Sequence, residues 1–289
     1  MHRLDRTPRR MRILAPAALL LLLVASACSP TPTAPRVEAG EAPLLYTYPN
    51  AIYRNDVEFG IPSCSYGTSN DYRMSKRTHY LSYNPSRGTP NWVSWNLNKT
   101  HYGDAARSSS FYADTNLPSG MYRVVSSDYT NGGYDRGHMV RSEERTWSSD
   151  DNRATFLMTN IVPQTNDLNA GPWYRFEQYL QNLAQNHNKE IYVISGANGS
   201  YGTLKNEGKV TIPKYNWKIA VIMPYGHGLA NVTSTSSLEV IAIDIPNVSG
   251  IRSNDWTKYR TTVDYLEQVT KCNFLWRLPD SIENYWEAR

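Results

Sequence analysis

One clear helix among many strand-like segments is the feature that most constrains how this chain folds. The helix is predicted in GPWYRFEQYLQNLAQNHNK, where Trp173, Phe176, Leu180 and Leu183 recur at spacings of three and four after an early proline. Around it, THYLSYNP and NWVSWNL flank the turn-forming SRGTP and predict a hairpin.

The rest of the chain is typical of a sheet protein with few helices. Further strands are predicted in ATFLMTNIVPQ, EIYVISGANG, NWKIAVIMP and LEVIAIDIPN, a short strand or turn in MYRVVSSDY, and a late helix in WTKYRTTVDYLEQVTKC. Many strands with few helices between them predict an α+β fold built on an antiparallel or mixed sheet.

The N-terminal residues have the layout of an export signal. MHRLDRTPRRMR is basic, and the apolar ILAPAALLLLLVASA ends in small residues directly before Cys28. This run is shorter than the roughly 20 apolar residues that span a bilayer. We expect residues 1–27 to be a signal peptide and Cys28 to carry a lipid, as in bacterial lipoproteins. The protein would then be anchored to the cell envelope through this lipid, or secreted.

Behind the signal, residues 28–43 are rich in Pro, Ala and Thr and predict a flexible tether. Residues 44–289 have a globular composition and suffice for one domain with a substantial core. If Cys28 is lipidated, Cys64 and Cys272 remain. In an exported protein they suggest a disulfide, with two separate buried thiols as the alternative.

The charge balance argues against a histone-like coating protein. Of the 30 basic and 26 acidic residues, the signal holds five arginines and one aspartate, so the mature chain carries 25 of each. Without net charge, the chain does not attract polyanions over long range. An enzyme with a local basic cleft remains compatible with this balance.

Three separated segments carry residue types that phosphodiester cleavage requires. They are RSSSFYAD, starting at Arg107, NGGYDRGHMVRS around His138, and TNIVPQTNDLNAGPWYRFE, which ends at Glu177. Cleavage needs a base for water, positive charge near phosphorus and an electrophile for the leaving oxygen. His138 is a credible base because a free imidazole titrates near 6.5. A lone histidine in a polar loop is more often structural than catalytic. The residues around His138 therefore decide between these two roles.

The segments YDRGHM, TNIVPQ and DLNAGPWYRFE resemble the signature of the DNA/RNA non-specific endonucleases, the sugar-non-specific nucleases of the ββα-metal superfamily. The similarity covers roughly residues 60–280 and includes the hairpin, IYVISG, IPKYNWKIAV and TTVDYLEQVT in the family's order. DRGH alone is a weak signal, and the spacing to PQxxDLNxGxW makes it specific. The resemblance implies a ββα-metal nuclease fold, with a central mostly antiparallel sheet flanked by helices.

The resemblance also implies individual roles. Asn169, by position an ordinary N-cap or turn residue, becomes the single direct protein ligand of Mg²⁺ or Mn²⁺, with waters in the other positions. Glu177, otherwise a solvated helix carboxylate, accepts hydrogen bonds from that water. His138 is the base, Arg107 stabilises the transition state, and Arg136 assists with phosphate.

Further residues are expected to support these. Asp135 braces the motif loop or the histidine, and Asn160 supports the site from behind. Arg141 and Arg175 are candidates for a phosphate-binding rim. The chain has no His/Cys cluster with the spacing of a zinc site.

The sequence therefore predicts an exported Mg²⁺-dependent endonuclease that hydrolyses DNA and RNA to 5′-phosphorylated products. Its expected partners are these nucleic acids, and no protein partner is indicated. The protein is expected to contact the membrane only through a lipid on Cys28. One alternative is a catalytically weak surface lipoprotein of the same fold that binds nucleic acid. Another is a phosphodiesterase for small or lipid-linked phosphates. The intact set Arg107, His138, Asn169 and Glu177 favours catalysis, because a binding protein needs no base.

Overall fold

A seven-stranded antiparallel sheet forms the centre of the protein. The computed structural model describes residues 55–205 and 207–289. The predicted signal peptide of residues 1–27, Cys28 and the tether of residues 28–43 therefore lie outside the described residues. Among the described residues, no helix combines the length and the apolar character needed to cross a membrane.

The described residues contain both short strands and short helices beside the long strands of the main sheet. In chain order the strands are β1 (Ser63–Cys64), β2 (Tyr72–Ser75), β3 (Tyr80–Asn84), β4 (Thr89–Leu97), β5 (Asp135–His138), β6 (Ile161–Gln164), β7 (Lys189–Asn198), β8 (Tyr215–Pro224), β9 (Glu239–Pro246), β10 (Arg260–Thr261) and β11 (Cys272–Asn273). The helices are α1 (Ser149–Ala154), α2 (Asn166–Leu168), α3 (Tyr174–Asn186), α4 (Val263–Thr270) and α5 (Asp280–Glu287).

The main sheet has the strand order β10-β9-β8-β7-β4-β3-β2, and each neighbouring pair is antiparallel. The predicted hairpin is β3 and β4, whose register shifts between Ser82 and Tyr83. Strands β5 and β6 form a separate antiparallel pair, as do β1 and β11. The prediction of an α+β fold with a mostly antiparallel sheet is confirmed.

The two faces of the sheet bury different helices. Successive side chains of a strand point to opposite faces, so neighbours Val193 and Ile194 of β7 enter different apolar clusters. Val193 packs in the cluster that contains Phe176 of α3, whereas Ile194 packs in the cluster that contains Leu266 of α4 and Ile282 of α5. Helix α3 therefore lies on one face, and α4 and α5 lie on the other.

The β5–β6 pair and α3 form the ββα unit that the family resemblance implies. After β6, the short helix α2 runs through a wide turn at Asn169–Trp173 into α3. The turn bends at Gly171, whose φ and ψ are −112° and −121°. A Cβ at Gly171 would lie 2.9 Å from the backbone of Arg252, so the close approach of that loop requires glycine.

The predicted strand at 154–164 is wrong in its first half, because only Ile161–Gln164 is a strand. Before it, the chain turns at Met158–Asn160. The Asn160 side chain causes this turn, since it pairs with both backbone groups of Val140 at 3.0 Å and donates to the Thr155 carbonyl at 2.8 Å. Segment 121–129 contains turns and no strand.

The predicted helix at 256–272 is likewise too long. Trp256 packs beside Phe176 on the α3 face, whereas Leu266 packs on the opposite face, so one continuous helix does not serve both. The helix begins after Thr262, whose hydroxyl accepts a hydrogen bond from the Tyr265 amide at 3.1 Å. Helices α1, α2 and α5 have no counterpart among the predicted elements.

A disulfide joins Cys64 in β1 to Cys272 in β11 and resolves the alternative that the sequence leaves open. It links two positions 208 residues apart, near the beginning and the end of the described domain. Both cysteines belong to the apolar cluster on the α4 face.

Because the disulfide closes so long a loop, replacing both cysteines by serine should lower the free energy of unfolding by about 2–5 kcal/mol. Urea denaturation of Cys64→Ser/Cys272→Ser under oxidising conditions measures this loss. Dithiothreitol should bring the wild type to the midpoint of the variant and leave the variant unchanged. Equal stability of the variant and the oxidised wild type would contradict the prediction.

Candidate active site

His138 lies at the end of β5, opposite Ile161 of β6, with its ring enclosed by aromatic side chains. Its imidazole meets Phe156 edge-on at 4.7 Å between centroids and lies 5.5 Å from Phe111. The residue is 9% exposed, and its Nε2 is buried without a hydrogen-bond partner among the described residues. A buried ring nitrogen left unpaired is available to a group from outside the chain.

Burial, and then the positive charge of Arg107, lower the pKa of His138 from 6.5 to about 3. Both effects disfavour the imidazolium, because it would be poorly solvated and would repel the guanidinium. His138 is therefore neutral in the folded protein at neutral pH. A neutral imidazole with an unpaired nitrogen has the state that a general base needs.

The short strand β5 serves two sides of the site because its side chains alternate. Arg136 and His138 point toward the aromatic side, where both contact Phe111. Asp135 points toward the start of the helical segment, where its Oδ2 accepts 3.0 Å hydrogen bonds from the side-chain amides of Asn166 and Asn169. The histidine strand is thus connected directly to Asn169.

The Asp135 contact fixes the orientation of the Asn169 carboxamide. Since the amide nitrogen donates to Asp135, the oxygen Oδ1 is the free end, and within the described part of the chain it has no partner. Asn169 is partly exposed. A neutral, exposed oxygen beside the carboxylate of Asp135 suits a hard divalent cation that keeps most of its water.

Glu177, two turns further along, is held by two cations. Its Oε1 pairs with Lys218 Nζ of β8 at 2.7 Å, and its Oε2 lies 3.8 Å from Arg141 Nε. Lys218 is fully buried, and its ammonium lies over the rings of Trp173 and Trp95 at 4.2 and 5.5 Å. The two cations hold this buried carboxylate in a position from which it could orient a hydrated cation.

Arg107 lies beside the histidine and keeps an accessible guanidinium. Its Cζ is 5.0 Å from the centre of the Phe156 ring that also contacts His138. It donates to the hydroxyl of Ser142 and to Glu143 Oε1, the latter at 3.2 Å. The side chain is 53% exposed, so it can reach a phosphate in the solvent-facing part of the site.

The other three arginines have internal partners. Arg136 donates to the Ser126 carbonyl at 2.6 Å, and Arg175 donates to the carbonyls of Arg252 and Asn254.

Arg141 is 9% exposed and pairs with Glu143 at 3.0 Å as well as with Glu177. These contacts position loops and the Glu177 carboxylate, and direct phosphate contact by Arg136, Arg141 and Arg175 stays a prediction.

Asn160 and Gly137 support the histidine strand from behind. Asn160 is fully buried and holds Val140, two residues after His138. A Cβ at Gly137 would lie 2.1 Å from Oε1 of the fully buried Gln164. Glycine at this position therefore leaves room for the buried Gln164 side chain beside β5.

The sequence reasoning missed Lys218, Glu143 and the ring pair Phe111 and Phe156. A lysine inside the apolar strand NWKIAVIMP is a usable signal, because a buried ammonium requires a partner. Its partner Glu177 is 41 residues away, however, and only the fold brings them together. In the sequence, Phe111 and Phe156 resemble ordinary core residues, and nothing in their spacing indicates a contact with His138.

Since His138 is buried beside Arg107, its nuclear magnetic resonance titration in the metal-free protein should lack a midpoint near 6.5. The folded pKa lies below that of the unfolded chain, so stability contributed by neutral His138 is present above pH 6.5 and is lost as pH falls below it. Arg107→Gln should raise the pKa, because it removes a repelling charge. A wild-type midpoint near 6.5, with the signal assigned by its absence in His138→Ala, would refute this account.

Removing one partner of the buried Lys218–Glu177 ion pair should lower the free energy of unfolding. Lys218→Met leaves the Glu177 carboxylate poorly compensated and should lower the free energy of unfolding by about 3–5 kcal/mol. The double variant Lys218→Met/Glu177→Gln should regain most of this stability, because no isolated charge remains. Chemical denaturation of the two variants and the wild type measures the coupling. A loss well under about 1 kcal/mol in Lys218→Met would mean that the pair is solvated.

Comparisons with known proteins identify the family and the fold of the chain. The family model described as DNA/RNA non-specific endonuclease matches residues 60–281. A crystal structure of the EndoG/EndoGI complex shares the fold with a TM-score of 0.63, at 21% identity, over 78% of this chain and 91% of that one. The fold is therefore that of the ββα-metal nucleases.

Relatives of the sequence are nucleases. The protein named Nuclease from Nostoc sp. (strain PCC 7120) is 40% identical over 277 residues, which cover 94% of this chain and 96% of the relative. The mitochondrial nuclease EXOG of Xenopus laevis is 29% identical over 206 residues, 66% of this chain and 55% of the relative. Endonuclease G of Bos taurus is 28% identical over 174 residues, 56% and 58% of the two chains. The chain belongs to the DNA/RNA non-specific endonuclease family, and it is a nuclease, a hydrolase of phosphodiester bonds.

Proposed function

We propose that the protein is an exported, Mg²⁺-dependent endonuclease that cleaves DNA and RNA, with His138 as the general base. The observation that carries this proposal is the buried, unpartnered Nε2 of His138, on the strand whose Asp135 orients Asn169. A protein that only binds nucleic acid has no use for a neutral imidazole kept free of partners.

In this proposal His138 takes a proton from water, and the resulting hydroxide attacks phosphorus in line with the leaving 3′ oxygen. The bond from phosphorus to the 3′ oxygen breaks, and that oxygen takes up a proton from water. The products then carry a 5′ phosphate. The low pKa of His138 in the free protein keeps the ring unprotonated until substrate arrives. A phosphate bound beside it adds negative charge, which stabilises the imidazolium as it forms.

Arg107 is the residue proposed to bind the reacting phosphate. Its guanidinium is half-exposed and shares the Phe156 ring with His138, so both groups can reach the same phosphate. Its contacts with Ser142 and Glu143 hold it in place before substrate binds. A planar guanidinium fits phosphate oxygens in pairs and stabilises the additional charge of the transition state.

Asn169 and Glu177 are the residues proposed to hold a divalent cation, through the free Oδ1 of Asn169 and, by way of water, the Glu177 carboxylate. Oxygen donors of low total charge suit Mg²⁺, which gives up its water reluctantly. When bound, the cation supplies positive charge against the phosphate and the leaving oxygen. Asp135 and Lys218 keep the two side chains in position.

Action on both DNA and RNA is supported by the kind of groups that the site offers. Arg107 and a divalent cation bind phosphate, which is shared by the two nucleic acids and carries no sequence information. The name of the matched family, DNA/RNA non-specific endonuclease, agrees with this substrate range.

Export and lipid anchoring rest on residues 1–28, which the structure does not describe. The Cys64–Cys272 disulfide supports export, because disulfides persist in oxidising compartments and are rare in the cytosol of most organisms. We therefore propose a location in the cell envelope or outside the cell.

The decisive experiment incubates the purified protein with plasmid DNA, RNA and a chromogenic small phosphodiester, with Mg²⁺ or with EDTA. The wild type should degrade both nucleic acids only with Mg²⁺, and His138→Ala should lose about 10²–10⁴-fold in rate without losing its fold. The exposed His187→Ala is the matched control and should cleave like the wild type.

The same assay separates the alternatives. Binding of DNA without cleavage by the wild type would favour a nucleic-acid-binding lipoprotein. Cleavage of the small phosphodiester alone would favour a phosphodiesterase for small phosphates. Activity of a well-folded His138→Ala variant at the wild-type rate would rule out His138 as the base.

A further inference from the structure

Three carboxylates converge between α4 and α5, on the face of the sheet opposite α3. Asp264 and Glu267, three residues apart on α4, share one side of that helix, and Glu287 comes from the end of α5. One oxygen from each lies within 4.8 Å of the other two. The cluster therefore joins two helices that are separate in sequence.

Glu287 is the buried member of the cluster. It is 7% exposed, and its Oε1 is buried without a hydrogen-bond partner among the described residues. A buried carboxylate oxygen normally finds a donor, because leaving it unpaired costs free energy. One carboxylate oxygen of Glu287 lies within 4.8 Å of ligand oxygens of Asp264 and Glu267, so this buried side chain is aimed into the cluster.

The described residues donate few hydrogen bonds to the cluster. Glu267 has a single donor on Oε1, the Phe274 amide at 2.7 Å.

We propose that Asp264, Glu267 and Glu287 bind a calcium ion that connects α4 to α5. The ligands are all carboxylate oxygens, which hard cations prefer. Ca²⁺ takes about six to eight oxygen ligands in flexible geometry, whereas Mg²⁺ is usually held by one or two carboxylates and keeps several waters. Three carboxylates contributed by two helices therefore favour calcium.

The site is independent of phosphodiester cleavage and stabilises the C-terminal part of the domain. Helix α5 is otherwise attached through apolar residues such as Ile282 and through Trp286, whose indole donates to the Thr235 carbonyl at 3.0 Å. Helix α4 ends at Thr270, two residues before Cys272 of the disulfide. A calcium ion between them would replace carboxylate repulsion by attraction.

The test measures calcium binding to the EDTA-treated protein by isothermal titration calorimetry in an Asn169→Ala background, which removes binding at the candidate active site. One calcium site is expected, and calcium at a hundredfold excess over Kd should raise the Tm by about 5 °C or more. Glu287→Gln and Asp264→Asn should both lose the heat of binding and the Tm rise. Asp280→Asn, on the exposed start of α5, is the matched control and should retain both.

Asp264 is exposed, so its variant should fold even if Glu287→Gln does not. Absence of a calcium site in the Asn169→Ala background, or calcium binding that Asp264→Asn leaves unchanged, would overturn the proposal. A rise in Tm from Glu287→Gln without calcium, combined with no effect of calcium on the parent, would show that the carboxyls share protons instead, and would overturn it as well.

Discussion

The buried ion pair between Lys218 and Glu177 attaches α3 to the central sheet, and the geometry of the site depends on it. The pair has a length of 2.7 Å, and Lys218 is fully buried beside the rings of Trp95 and Trp173. Such a pair adds little net stability compared with apolar residues, but breaking it is costly. It therefore resists sliding of α3 along β8, and it fixes the position of the helix start, where Asn169 lies.

Asp135 makes the second connection, between the base and the cation-binding residue. Because side chains alternate along β5, one strand of four residues presents His138 to the aromatic side and Asp135 to the helix start. A change in the position of β5 relative to α2 would disturb both groups together. The four residues DRGH thus position both His138 and, through Asp135, Asn169. Gly137 allows this strand to lie against the side chain of Gln164.

Local patterns predicted the hairpin, the buried strands and the central helix, and motif spacing predicted the residues that the fold brings together. Contacts between distant segments were not predictable, because no local pattern records them. Asn160 turns the chain by binding Val140 backbone twenty residues away, which converts an apparent strand into a turn. Arg141 belongs to the Glu177 ion pairs for the same reason, although its position near the motif favoured a phosphate contact. Partners of buried charges become visible only in the folded chain.

The two faces of the sheet contribute differently to function and to stability, and the positions of the buried charges show this difference. The α3 face contains Lys218, Glu177 and a neutral His138, none of which would be chosen for stability alone. The opposite face holds the apolar residues that pack against α4 and α5, the cluster of three carboxylates and the Cys64–Cys272 cross-link. The cross-link thus adds stability on the face away from the candidate active site. Because strands of one sheet serve both faces, a cross-link on the α4 face also restrains the strand that carries Lys218.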